Sequence, residues 1–360
     1  MRILVLNPGS SSTKIAVYED TRQLWQEDVK HDTNALLGYP TIFSQIPYRL
    51  PIVLETLEKH GQPLEGLACV MSRGGLLPPV SSGAYEVNDE MLDVLEHRPM
   101  NHHASNLGAA IALKIARPLG IKAYIYDPVT VDEMTDVVRI TGLKEIRRYG
   151  QGHNLNMRSM AIRYCLENGL DYREKNIVVA HMGGGITLTL HSKGRIIDMI
   201  SDDEGPFSPE RAGLIPDFRL AKYISENNLS YKDTMFILQR EGGLTSLCGS
   251  ADAKEVIERM NSGDKEAALA IEAMALGVAQ SIARLSVDVN GKVDAVILTG
   301  GIAYSGQFTD MVTERVSFIA PVVVMPGENE MQALADGAYR VLTGIETARE
   351  YSEPADRPYA

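Results

Sequence analysis

The chain has 360 residues, 44% of them apolar, enough for two domains with their own cores. A formal net charge of −12 argues against a nucleic-acid partner, which needs a basic face, but leaves room for a locally basic cleft around Lys14, Arg73, Arg211 and Lys254. Cys69, Cys165 and Cys248 match no CxxC or zinc spacing and read as reduced thiols, the N-terminal apolar run is too short for a signal peptide, and no apolar stretch approaches a membrane span of about 18 residues, so a soluble, cytoplasmic protein with no membrane partner is expected.

Strand-like runs at Ile3–Asn7 and Lys14–Tyr18 flank a turn of Asn, Pro, Gly and hydroxyl residues, and Glu19-Asp20 lead to a third run at Leu24-Trp25. The turn gathers phosphate-binding groups: backbone N–H near Gly9 and Ser10, serine hydroxyls, and the charge of Lys14. It lacks the Walker A pattern, and an ordinary Gly/Ser hairpin has the same composition. Helical periodicity follows at Ile52–His60, then a strand at Leu67–Ser72 that runs into Arg73-Gly74-Gly75. An arginine at a strand end beside flexible backbone suits a carboxylate or phosphate, or is a surface residue at a turn. A helix is predicted at Asp89–His97, and another at Ser105–Ala116 with Ser105 or Asn106 as its cap; His102 and His103 before it orient an anion or help to cap. The strand Lys122–Tyr126 ends at Asp127-Pro128, where the carboxylate positions a cation or an arginine, or simply forms the turn.

The second half repeats this layout. His153 sits between Gly152 and a helix at Met157–Asn168, placed to donate to a transferring phosphoryl group. The strand Ile177–His181 meets the turn Gly183-Gly184-Gly185, Ile186–His191 returns, and Arg195–Met199 follows a further turn. Two similar three-strand starts roughly half a chain apart point to a duplicated domain. Gly205–Gly213 is a proline-framed loop presenting Arg211, and Asp252 either reaches a ribose or caps the helix Ala253–Asn261. Lys265–Asp288 reads as a long, largely buried helix. Asp294–Thr299 runs into Gly300-Gly301, a turn that lets a base or phosphate approach the backbone. After a strand at Pro321–Met325, Glu330 acts on a metal-bound water or favours the dipole of the helix Asn329–Leu342. That helix is expected to pack back on the first domain, and the tail Glu353–Ala360 to fray. The alternation of strands and helices makes this an α/β protein.

The segments VSRGGLLPPV, HASNLG, YDPVTVDEM, AHMGGGI and GPFSPERAG, with Asn7–Lys14, His153–Asn156, Thr299–Ile302 and Pro326–Glu330, span nearly the whole chain in order. Together they resemble the acetate kinase family, its butyrate and branched-chain acid kinases most, within the sugar kinase, Hsp70 and actin superfamily. The resemblance implies two duplicated actin-like (ribonuclease H-like) domains around a central nucleotide cleft. The first comprises residues 1–131 with about 332–360 and serves acyl and phosphate groups; the second, 132–331, binds the nucleotide. It implies reversible transfer between ATP and a short-chain carboxylate such as butyrate, giving an acyl phosphate and ADP, with Mg²⁺, in a homodimer or larger homo-oligomer.

The roles implied residue by residue are these. Asn7, Ser10, Ser12 and Lys14 form one phosphate loop, with Asn7 near Mg²⁺, and His181, Gly183, Gly184 and Gly185 form a second. Arg73 and Arg211 bind the carboxylate and the developing phosphoryl charge, His153 stabilises that group in flight, and Asp127 positions Mg²⁺ or the partners of Arg73. His103, Gly152 and Pro209 belong to the acyl site. Gly300 and Gly301 face adenine, Asp252 the nucleoside, and Glu330 holds Mg²⁺ through water. Three positions depart from the family: Gly152 where an aromatic is frequent, Lys254 in place of an arginine, and Met331 where many relatives carry a second acid. The alternatives are acetate or propionate kinase activity, an actin- or Hsp70-like ATPase, and an exopolyphosphatase-like hydrolase.

Overall fold

The computed structural model describes residues 1–354. They form two compact units: Met1–Asp132 with the chain from Asn329 on, and Glu133–Glu328.

The first unit holds the strands β1 (Arg2–Pro8), β2 (Ser12–Glu19), β3 (Arg22–Lys30), β4 (Leu67–Arg73), β5 (Ala84–Glu86) and β6 (Lys122–Tyr126). The second holds β7 (Asn176–Met182), β8 (Ile186–Ser192), β9 (Arg195–Ile200), β10 (Ala295–Thr299) and β11 (Val322–Val324); β12 (Arg349–Glu350) belongs to the first. The sheet orders are β12-β5-β6-β4-β1-β2-β3 and β11-β10-β7-β8-β9. In each, an antiparallel meander (β1–β2–β3 or β7–β8–β9) continues through its first strand into two parallel neighbours, β4 and β6 or β10 and β11. The duplication inferred from the Gly-rich turns is thus present in the hydrogen bonding of both sheets.

The inner strands β1, β4, β7 and β10 are buried along nearly their whole length, as unbroken apolar runs become when helices cover both faces of a sheet. In the first unit the helices Leu107–Ala116 and Glu330–Leu342 pack on β1 and β4. In the second, Asn154–Glu167 lies on one side of the sheet, and Lys265–Val287 lies in the core with Val178, Leu188 and Leu298. This last helix corrects the reading that no segment approaches a membrane span. Its 23 residues have a mean hydropathy of 1.4 over an 18-residue window, but Ile271, Met274, Val278 and Ile282 are fully buried against the sheet, which accounts for the composition.

Other boundaries differ for local reasons. The helix expected from Ile52 begins at Ile46: Pro47 falls in its first turn, where a missing N–H costs little, and Pro51 lies inside it. The cap of the turn before Leu107 is His103, whose Nδ1 accepts from the Ser105 N–H at 3.2 Å; neither Ser105 nor Asn106 serves. The helices Asp217–Glu226, Tyr231–Phe236, Gly243–Cys248 and Gly306–Val316 carry no clear signal in the sequence. Of the tail expected to fray, Glu353 is held by Arg98 at 2.7 Å, and residues 355–360 lie outside those described.

Candidate functional site

In the first unit the β1–β2 hairpin closes through Gly9 N–H donating to Ser12 O at 2.8 Å. Asn7 ends the buried strand and is 7% exposed, while Ser10 and Ser11 reach solvent at the tip. Lys14 pairs across the hairpin with Asn7 and is exposed. On β3, Asp28 accepts hydrogen bonds from Lys30 and Ser12, and these, with the charge of Lys14, hold its carboxyl below the usual range.

The end of β4 and the start of the helix Glu330–Leu342 meet at this hairpin within the unit. Arg73 closes β4, and its Nη1 lies 2.5 Å from Glu330 Oε1, while Asn7 Nδ2 donates to Glu330 Oε2 at 2.7 Å. The glycines after Arg73 permit close approach. A Cβ on Gly74 would lie 2.6 Å from Pro128 Cβ, and one on Gly75 2.7 Å from Asn106. They bring the Asp127 turn and the His103–Asn106 turn up to Arg73, and Asn106 fastens the latter by accepting from Leu76 N–H at 2.8 Å. His103 keeps solvent access, yet desolvation, followed by the charge of Arg73, lowers its pKa. Asp127 is 2% exposed, adopts φ +37°, and accepts from Gly83 N–H at 2.6 Å. Its turn role is therefore real, and the strained backbone aims its carboxyl inward.

In the second unit the His153 and His181 rings stack, with centroids 3.9 Å apart and planes 10° from parallel. Each is fixed by a residue with no distinguishing signal in the sequence. Thr187 Oγ1 is 2.9 Å from His153 Nδ1, and Asn156 Nδ2 is 3.0 Å from His181 Nδ1 and 3.3 Å from Thr299 Oγ1. Because an amide N–H₂ only donates, His181 Nδ1 accepts, and its buried Nε2 lies 3.1 Å from Glu328 Oε1. The Gly183-Gly184-Gly185 turn anchors the Arg211 loop: Gly184 O accepts from Ser208 Oγ at 2.7 Å and from Glu210 N–H at 3.2 Å. Arg211 Nε donates to Asp202 at 3.1 Å, its Nη1 reaches Glu210 at 3.2 Å, and Nη1 also donates to Gln239 O. Pro209 is buried, and its carbonyl accepts from both Thr245 N–H and Thr245 Oγ1 at 3.0 Å. Gly300, at φ +88°, pairs with Gly327 and lies so close to Met182 O that a Cβ there would overlap it, while Gly301 faces open space. Asp252 accepts from Lys254 and Glu255 N–H at 2.9 and 3.4 Å, so helix capping occupies its Oδ1.

Residues 138–335 match the acetokinase family. Over 351 residues the chain is 42% identical to a protein described as probable butyrate kinase 2 of Caldanaerobacter subterraneus subsp. tengcongensis, covering 97% of this chain and 99% of that one. Butyrate kinase 1 of Clostridium acetobutylicum is also 42% identical, over 352 residues and the same shares of each chain. The chain belongs to the acetokinase family.

Solved structures agree on the fold. A Porphyromonas gingivalis acetate kinase superposes with TM-score 0.79 at 19% identity, covering 96% of this chain and all of that one. A propionate kinase from Francisella tularensis superposes with TM-score 0.72 at 18% identity, covering 93% and 98%. The acetokinase fold is the actin-like two-domain one implied by the resemblance.

The family departures have local accounts. Lys254 is exposed, 4.0 Å from Glu258 one helical turn on. Met331 is 6% exposed and packs in the core beside Glu330. A Cβ on Gly152 would come within 3.3 Å of Thr187 Oγ1 and 3.2 Å of Met199 Sδ, crowding the hydroxyl that orients His153. For magnesium, no cluster of three or more His, Cys, Asp or Glu exists among the described residues, and both oxygens of Glu330 are engaged. Such a donor set fits Mg²⁺ only if water and substrate phosphate supply most of its ligands; Glu330 and Asn7 are the residues here that would then hold it.

Proposed function

We propose that this acetokinase is a butyrate kinase that reversibly transfers the γ-phosphoryl group of ATP to butyrate or a similar short-chain or branched acid. The full-length likeness to butyrate kinases carries this reading; Arg73 at its strand end in the first unit, and Arg211 with the stacked histidines in the second, each support it separately. A carboxylate is ionised near neutral pH, so the reaction needs no general base. One carboxylate oxygen attacks the γ-phosphorus, a C–O–P linkage forms, the bond to the β-phosphate oxygen breaks, and ADP leaves with the electron pair. Charge spread over the phosphoryl oxygens is the quantity to stabilise, and fixed donors do so without reorganising.

In this reading Arg73 binds the carboxylate, His103 borders the acyl group with Gly152 and Pro209, and Asp127 positions Mg²⁺ or the groups that partner Arg73. His153, oriented by Thr187, donates to the phosphoryl group, and Arg211 neutralises it. Ser10, Ser12 and Lys14 form one phosphate loop, and His181 with Gly183, Gly184 and Gly185 the second. Gly300 and Gly301 receive adenine, and Asp252 borders the nucleoside. Bound Mg²⁺, held through Asn7 and Glu330, would neutralise the nucleotide phosphates. The family likeness also supports a cytoplasmic homodimer or larger homo-oligomer.

Trapping acyl phosphate with hydroxylamine tests the activity, using ATP, Mg²⁺ and acids from formate to valerate with isobutyrate. A maximum at butyrate or isobutyrate is expected. A maximum at acetate keeps the chemistry and moves the substrate. ATP turnover without product from any acid refutes the proposal.

A further inference from the structure

Arg49 is fully buried, and among the described residues no carboxylate forms an ion pair with it. Its guanidinium instead collects the carbonyls of the β1–β2 turn. Nη1 donates to Gly9 O at 2.8 Å and lies 3.4 Å from Ser12 O and 3.5 Å from Thr13 Oγ1; Nη2 donates to Ser10 O at 3.0 Å; Nε donates to Gln45 Oε1 at 3.1 Å. The remaining carbonyl of the tip, Ser11 O, accepts from His31 N–H at 2.9 Å. An unpaired buried guanidinium is costly, and bracing a hairpin is a small return for that cost.

We propose that Arg49 is a positioning residue for nucleotide phosphate binding. A trans peptide sends its N–H opposite to its carbonyl. Because Arg49 draws the Gly9 and Ser10 carbonyls inward, the N–H groups of Ser10 and Ser11 face the other way, and neither has a protein partner among the described residues. Successive outward N–H groups form an anion-binding concavity. The uncompensated charge behind it adds attraction for phosphate, reduced by solvent at the exposed tip. Arg49 therefore fixes the shape of the loop and supplies charge to it while touching no substrate.

Three variants of the full chain test this. R49M removes charge and fork, R49K keeps the charge, and Q45L keeps the arginine but removes its Nε acceptor. KM for MgATP should rise about tenfold or more in R49M and by smaller factors in R49K and Q45L, while KM for butyrate stays within about twofold. Calorimetric affinity for MgADP should weaken in the same order. Lowered thermal stability with unchanged nucleotide affinity would mark a merely structural arginine and overturn the proposal. Should R49M not fold, R49K and Q45L decide by the same readouts. The inference rests on the kinase reading, and calorimetry separates the two: wild-type protein that binds MgADP but phosphorylates no acid refutes the activity and leaves Arg49 open to the affinity test.

Discussion

Arg73 and Glu330 meet as an ion pair, Nη1 to Oε1 at 2.5 Å, although most of the chain separates the strand end from the helix start. The pair ties the arginine proposed for the carboxylate to the acid proposed for the metal. On the proposed reading, a substrate carboxylate on Arg73 would compete with Glu330 for the guanidinium and leave Glu330 freer to hold a hydrated cation. Substituting Glu330→Gln keeps an acceptor for Asn7 and removes the charge. The apparent Mg²⁺ requirement should rise and kcat fall by about 10- to 100-fold. A magnesium titration of initial rates that superimposes on wild type would refute the coupling.

The carboxylates that hold Arg211, on Asp202 and Glu210, are exposed enough to regain water, so its loss should act on chemistry more than on fold. Arg211→Met should lower kcat by about 10²- to 10³-fold, the usual effect of removing one donor to a developing charge. Thermal denaturation should stay near the wild-type midpoint. A rise in KM with kcat intact would instead assign Arg211 to ground-state binding.

His31 gives the protein an acid-side weakness. Desolvation, then the charge of Arg49, lowers its pKa to about 4, from an ordinary 6.5. A depressed folded-state pKa stabilises the protein above the unfolded value, and that stability is lost as pH falls toward the folded one. Stability should therefore decline from about pH 6.5 down to about pH 4. In His31→Gln the slope across that window should be shallower, read from urea midpoints at several pH values. Equal slopes in both proteins would remove His31 from the account.

Gly300 should tolerate no side chain. At φ +88°, and with Met182 O occupying the space a Cβ would need, Gly300→Ala must shift backbone beside the Gly183–Gly185 turn. A stability loss of about 1–3 kcal/mol is expected from thermal or urea denaturation. MgATP affinity should fall with it. Gly301→Ala, which meets nothing within 4 Å, is the control and should leave stability nearly unchanged.

Much of this is legible in the sequence because strand ends and glycine turns are local signals. Asn7–Lys14 and His181–Ile186 announce two hairpins, and their similarity announces the duplication that the sheet orders display. Arg73-Gly74-Gly75 is visible as an arginine at flexible backbone, though what its glycines touch is not. Arg49 is invisible for a physical reason: it lies before the helix expected from Ile52, and only tertiary contact with a hairpin some forty residues earlier buries it. Thr187 and Asn156 are hidden likewise, being ordinary polar residues until the strands and the helix Asn154–Glu167 set them against the two histidines. For Asp252 the sequence leaves capping and ligand contact open, and its hydrogen bonds show the cap.

The chain leaves the first unit after Asp132 and re-enters it at Asn329. During synthesis from the N-terminus, the second unit is complete and contiguous before Glu330 has emerged from the ribosome. Asn7 and Arg73 lack their shared carboxylate until the helix Glu330–Leu342 has been made. A ribosome that stalls or terminates before the helix Glu330–Leu342 would release a chain with one finished half and one whose acidic keystone is absent. Such a product lacks the Glu330 carboxylate that joins Asn7 to Arg73.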